Sequence, residues 1–115
     1  MTATPKLAAV TFDCADAEKL AGFWSALLDR PVGEGASPDY AVLDGDLPFT
    51  FFKVPESKSA KNRVHVDLSV DDLAAGVERA VTLGATRHGD FDEAGFRWTT
   101  LTDPDGNEFD LVATP

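Results

Sequence analysis

Cysteine is nearly absent from these 115 residues. Cys14 stands alone, which excludes an intrachain disulfide and a cysteine-ligated zinc site and leaves stability to packing. Basic residues are scarce as well, 10 Lys and Arg against 20 Asp and Glu, for a formal charge of -10. Such a surface repels phosphate backbones and anionic headgroups, so neither nucleic acid nor a membrane is an expected partner. No apolar run approaches the roughly 20 residues needed to cross a bilayer, and residues 1–7 lack the apolar segment of a secretory signal, so the expected location is cytoplasmic. Gly33, Gly35 and Gly45 form no GxGxxG after a long apolar strand, and there is neither a Walker sequence nor a serine nucleophile elbow. The length suits one ordinary domain and is too small for two independently cored ones.

What is present is a pattern that occurs twice. Ala8, Val10, Phe12 and Cys14 alternate with polar residues as in a half-buried strand, and Asp16 can then cap a helix striped by Leu20, Phe23, Trp24, Leu27 and Leu28. Asp29-Arg30-Pro31 ends that helix, and strands are expected at about 31–33, 40–43 and 49–54. Residues 55–62 are polar and aperiodic, as an exposed connector would be. From Arg63 to Val70 strict alternation resumes, Asp72 can cap, and Leu73, Val77, Ala80 and Val81 form a second helical stripe closed by Gly84. Strands are expected at about 85–88, 96–102 and 107–113, with turns at 92–95 and 103–106.

A shift of about 56 residues superposes Val10 on Val66, Asp16 on Asp72 and Leu27 on Leu83, while a shift of about 58 lays Phe52 on Asp110. The fold class is therefore α+β: two βαβββ modules, about 6–54 and 63–113, forming one domain of residues 1–115. A single module cannot bury both faces of its sheet, so the modules are expected to pair, within a chain or between chains.

Three stretches carry a family resemblance: Phe23-Trp24-Ser25-Ala26-Leu27-Leu28, then Val64-His65-Val66-Asp67-Leu68-Ser69-Val70-Asp71-Asp72, then the ending from Asp103 to Leu111. With the repeat they resemble the vicinal oxygen chelate superfamily, and most of all its short glyoxalase-like domain proteins. The resemblance covers nearly the whole chain. It implies a cup-shaped mixed sheet made by the two modules, with helices outside and a small molecule or divalent metal inside. It does not fix a reaction, because the superfamily holds isomerases, lyases, dioxygenases and non-catalytic resistance proteins on one scaffold.

Alternation assigns the faces. Val10, Phe12, Val66 and Leu68 belong against the helices, which turns Asp13 and Arg63, His65, Asp67 and Ser69 toward the cup, together with Glu108 and Asp110 on the last strand. The resemblance implies metal ligands at His65 and Asp110, a suitable pair for a divalent transition metal. The first module offers Ala9 and Phe52 at the matching places, and neither can donate a lone pair. Asp13, Asp67 or Glu108 is a candidate third ligand, and the alternative is a His65 hydrogen-bonded to Asp67 or Asp110 without metal. Arg63, Asp67, Phe52, Trp98 and Asp13 are the further candidate ligand contacts, Trp98 either stacking on a planar ligand or filling the core.

Two functions follow as expectations. One is a metal-free protein sequestering a planar or cationic molecule, favoured by the aromatic residues and the negative charge. The other is a metal-dependent lyase, isomerase or dioxygenase using His65 and Asp110 as ligands or as acid and base. Two equal modules with Phe-rich strand ends also suggest a homodimer.

Overall fold

Two aspartates, one in each half, start the two helices. The computed structural model describes Ala3 and residues 5–114, in the order β1 (Val10–Cys14), α1 (Ala17–Leu28), β2 (Tyr40–Leu43), β3 (Phe49–Lys53), β4 (Val66–Val70), α2 (Leu73–Leu83), β5 (Thr86–Glu93), β6 (Phe96–Thr102) and β7 (Glu108–Ala113). Asp16 and Asp72 are extended, and their carboxylates accept the amides of Lys19 at 3.1 Å and Ala75 at 3.0 Å, each satisfying one of the unpaired donors of a helix start. Asp29, in the left-handed region at φ 55°, and Gly84 end the helices. The chain divides between Ser57 and Lys58, inside the polar connector, into two compact modules.

In module one the sheet order is β1-β3-β2, with β1 parallel and β2 antiparallel to β3. The strand expected at 31–33 is reduced to one bridge, Val32 to Leu43. Pro31 has no amide to give a ladder, and Gly33 brings no side chain to pack. Trp24, Leu20, Phe51 and Leu43 are fully buried, and the Phe12 ring lies 5.1 Å from both the Trp24 and the Phe51 rings. The Arg30 guanidinium closes the turn after β2. It donates to the carbonyls of Leu43 at 3.0 Å, Asp44 at 2.6 Å and Leu47 at 3.2 Å, and lies over the Phe49 ring.

In module two the order is β4-β7-β6-β5, with β4 parallel to β7 and the other pairs antiparallel. Phe109, Leu111, Leu101 and Thr99 are buried on the face that α2 covers. Gly76 lets α2 approach closely, since a Cβ there would stand 3.3 Å from Val70. Of the expected stripe Ala80 is buried and Leu73 and Val77 half-buried, but Val81 is 44% exposed. At 3.6 residues per turn Val81 lies about 80° around the helix from Leu73, beyond the contact stripe.

The β5 strand runs five residues past the end expected for it. It continues to Glu93 because the turn to β6 needs only Ala94 and Gly95, at φ 53° and 82°, and two positive φ values in a row make the tight hairpin turn that matches sheet twist. No helix among the described residues is long and apolar enough to cross a membrane.

Candidate functional site

The sheet of module two leaves one face uncovered by its helix, and the strand register fixes which side chains share it. Asp67, Asp110 and Thr100 stand side by side across β4, β7 and β6. Val112, Trp98 and Phe91 form the neighbouring row across β7, β6 and β5. One row is polar and the next mostly aromatic.

His65 directly precedes β4. Its Nε2 lies 3.1 Å from Asp67 Oδ1 and 3.2 Å from Asp110 Oδ2. Asp110 is held in turn, since the Thr100 hydroxyl donates to its Oδ1 at 2.7 Å. The Asp110 side chain is 14% exposed, against 43% for His65 and 62% for Asp67. The cluster therefore has one anchored carboxylate and two groups reachable from solvent. One atom from each of the three residues falls within a mutual 4.8 Å, close enough to share an ion. Ligand bonds of about 2.1 Å put neighbouring donors roughly 3.0 to 3.4 Å apart in octahedral or tetrahedral geometry, and the two histidine-to-carboxylate distances fit that spacing.

Two candidate ligands have other partners or places. Glu108 accepts Lys58 Nζ at 2.9 Å and the Asn62 amide at 3.0 Å. Burial pushes its pKa up, but Lys58 and the Asn62 N–H outweigh that and hold the carboxyl below its ordinary value. Asp13 lies in module one, exposed, in register with Phe52 on β3, and Phe52 packs on Tyr40 at 4.8 Å between ring centroids. Arg63 sits in a bend before β4, exposed and outside the reach of strand alternation, and it takes part in none of the ion pairs found among the described residues.

The register also corrects the internal comparison. Val10 pairs with Phe49 as Val66 pairs with Phe109, so with the first strands 56 residues apart the last strands are 60 apart, not 58. The counterpart of Asp110 is Thr50 rather than Phe52, and that of Asp67 is Thr11. The two threonine hydroxyls meet at 2.5 Å. Module one thus carries alanine and two hydroxyls where module two carries histidine and two carboxylates. The extra offset accumulates in the loops after the helices, where apolar alternation gives no register.

Sequence reasoning missed Phe91 and Thr100. The Phe91 and Trp98 rings stack 5.3 Å apart at 18°, so Trp98 has an aromatic partner on the uncovered face instead of a place in the helix-side core. The signal was the Ala94-Gly95 turn, about which positions 91 and 98 are symmetric. Nothing in the local sequence marks Thr100. Cys14 is buried and its thiol lies 3.4 Å from the Phe52 carbonyl, while the exposed His88 meets the Thr102 hydroxyl at 2.9 Å. A groove of about 490 Å³ beside α2, lined by Leu73, Val77, Arg87, Arg97 and Thr99, takes in Trp98 but not His65 or Asp110.

Repeated βαβββ-type modules, with a histidine and carboxylates gathered on the uncovered face of one sheet, define a protein of the vicinal oxygen chelate class. The chain belongs to the glyoxalase-like domain family, whose pattern matches residues 9–112. Among solved structures it is similar to a glyoxalase/bleomycin resistance protein/dioxygenase family enzyme from Burkholderia phytofirmans, with a TM-score of 0.82 and 18% identity over 96% of this chain and 100% of that one. A mutant fosfomycin resistance protein from Listeria monocytogenes, complexed with Mn(II) and 1S,2S-dihydroxypropylphosphonic acid, gives 0.81 and 15% over 97% and 92%. A bleomycin-binding protein complexed with bleomycin gives 0.68 and 22% over 96% and 100%. At these identities the likeness is one of fold. No curated protein sequence matches the chain.

Proposed function

We propose that this chain binds a divalent transition metal through His65, Asp67 and Asp110 and uses it to hold a small oxygen-bearing organic molecule against the uncovered face of the second sheet. The observation that carries the reading is the convergence of two carboxylates on one imidazole nitrogen, at 3.1 and 3.2 Å, with Thr100 orienting the more buried carboxylate. Two negative groups aimed at one point repel each other unless a cation lies between them, and a ring N–H can serve only one of them well. A bound metal would supply Lewis-acid polarisation of a ligand oxygen. The chain's own groups would then orient: Asp110 through Thr100, and a flat ligand portion through the Phe91 and Trp98 stack. Lyase, isomerase and dioxygenase chemistry are all compatible with such an arrangement.

That stack also favours a second, metal-free reading, in which a protonated amine takes the place of the metal between Asp67 and Asp110 while an aromatic ring packs on Trp98. The reading further takes both modules and the 55–62 connector as one domain, in a cytoplasmic homodimer, which sedimentation can check. Titration with Co²⁺, Ni²⁺ and Mn²⁺ followed by calorimetry separates the two readings. Stoichiometric binding weakened at least about tenfold in His65→Ala and in Asp110→Asn supports the metal. Absence of binding by all three ions, with Trp98 fluorescence quenched by cationic aromatic compounds, overturns it in favour of the metal-free form.

A further inference from the structure

His65 belongs to no strand, and its neighbours toward the connector lie in bends and irregular chain. Among the described residues, no backbone-to-backbone hydrogen bond outside the strand ladders involves residues 58–65. Something other than a ladder must fix where the imidazole stands. Apart from the His65 ring itself, which meets Asp110, the polar contacts of this segment with β7 gather at Glu108. Its carboxylate receives Lys58 Nζ at 2.9 Å and the Asn62 amide at 3.0 Å, and its main-chain carbonyl receives the Asn62 side-chain amide at 3.1 Å. Glu108 is 15% exposed and Lys58 23%, so the pair is shielded enough from water to hold its geometry. Asn62 is three residues before His65, and Glu108 two residues before Asp110.

We propose that Glu108 is a positioning residue for His65. By clasping Asn62 and Lys58 it references the irregular segment that carries the imidazole to the strand that carries Asp110. Both ends of the contact between His65 and Asp110 are then set by β7: one by the side chain of residue 110, the other through Glu108 and three residues of chain. The consequence for affinity rests on the metal reading above, whereas the positioning itself does not.

The test uses the full chain and two readouts. Glu108→Ala should weaken Co²⁺ binding about 10- to 100-fold, the range for a residue that orients a ligand without touching the ion. Glu108→Gln keeps an oxygen for the Asn62 amide and gives up the charge on Lys58, so it should recover most of the affinity. A Lys58→Ala, Asn62→Pro double variant removes the cation, the Asn62 main-chain N–H and its side-chain amide from the connector side and leaves β7 unaltered, which covers a Glu108→Ala chain that fails to fold. In the metal-free protein, NMR contacts between the His65 ring and the Asp110 and Thr100 side chains should be present in the wild type. They should be lost in Glu108→Ala and in the double variant, while contacts between Val66 and Phe109 persist. A role limited to overall stability would leave the ring contacts intact, and that result, in variants with an intact β4–β7 ladder, overturns the proposal. A wild type that takes up no Co²⁺ defeats the metal reading alone, and the ring contacts then decide the positioning.

Discussion

Single side chains do their work here by meeting several backbone groups at once. Asp103, only 3% exposed, accepts the amides of Asp105 at 3.0 Å and Asn107 at 2.9 Å on one oxygen and the Asn107 side-chain amide at 3.1 Å on the other. That is the physical content of the ending that carried the family resemblance: a carboxylate folds its own turn, with Gly106 at φ 88° completing it. Asp103→Ala leaves half-buried N–H groups of Asp105 and Asn107 without their acceptor and should lower stability by about 2 kcal/mol, read from urea unfolding midpoints. His65, Asp67 and Asp110 were each legible as polar residues on an otherwise apolar-alternating strand. Their convergence was expected only through the family resemblance and not from local pattern, because it depends on Cα partners 43 residues apart in the chain.

Among the elements, the hairpin of β5 and β6 separates what pattern reveals from what turn geometry decides. Alternation located β6, but β5 reads Thr-Arg-His-Gly-Asp-Phe-Asp-Glu, with almost no apolar face and a bulge between Arg87 and Gly89, so only its first residues were expected. The strand exists because pairing with β6 satisfies its backbone. Its turn places Ala94 at φ 53°, where a Cβ is unfavourable and asparagine is tolerated. Ala94→Asn should therefore stabilise the protein by about 0.5–1 kcal/mol, visible as a higher Tm in calorimetry. Helix starts were fully legible, since Asp16 and Asp72 each lie just before an apolar stripe and cap locally.

Taken whole, the molecule carries a formal charge of -10, and two of its carboxylates, Glu108 and Asp90, have a lowered folded-state pKa and so contribute to its acid response. At Glu108 burial pushes upward but Lys58 and Asn62 outweigh it. Asp90 is lowered by hydrogen bonds from Arg87 and Thr99. A depressed folded-state pKa contributes stability that is present above the unfolded value and lost as pH falls through the folded one. Unfolding midpoints should accordingly hold near neutrality and drop below the ordinary values of 4.5 for Glu108 and 3.8 for Asp90. Lys58→Met removes the cation that favours ionised Glu108 and brings its folded-state pKa nearer the unfolded one, so that variant should be less stable near neutrality and lose less stability as pH falls through 4.5.

By itself the sequence determined the α+β class, the doubled βαβββ order, the helix caps and the faces of the strands, because each of these depends on residues within one or two turns or on a period of two. Tertiary structure alone decided which residues of β3 and β7 correspond, that Thr50 answers to Asp110, that Phe91 joins Trp98, and that Glu108 is taken up by Lys58 and Asn62. These are matters of register between strands joined by loops of unequal length. Loop length is not encoded in hydrophobic alternation, so the offset is settled only when the two ladders close.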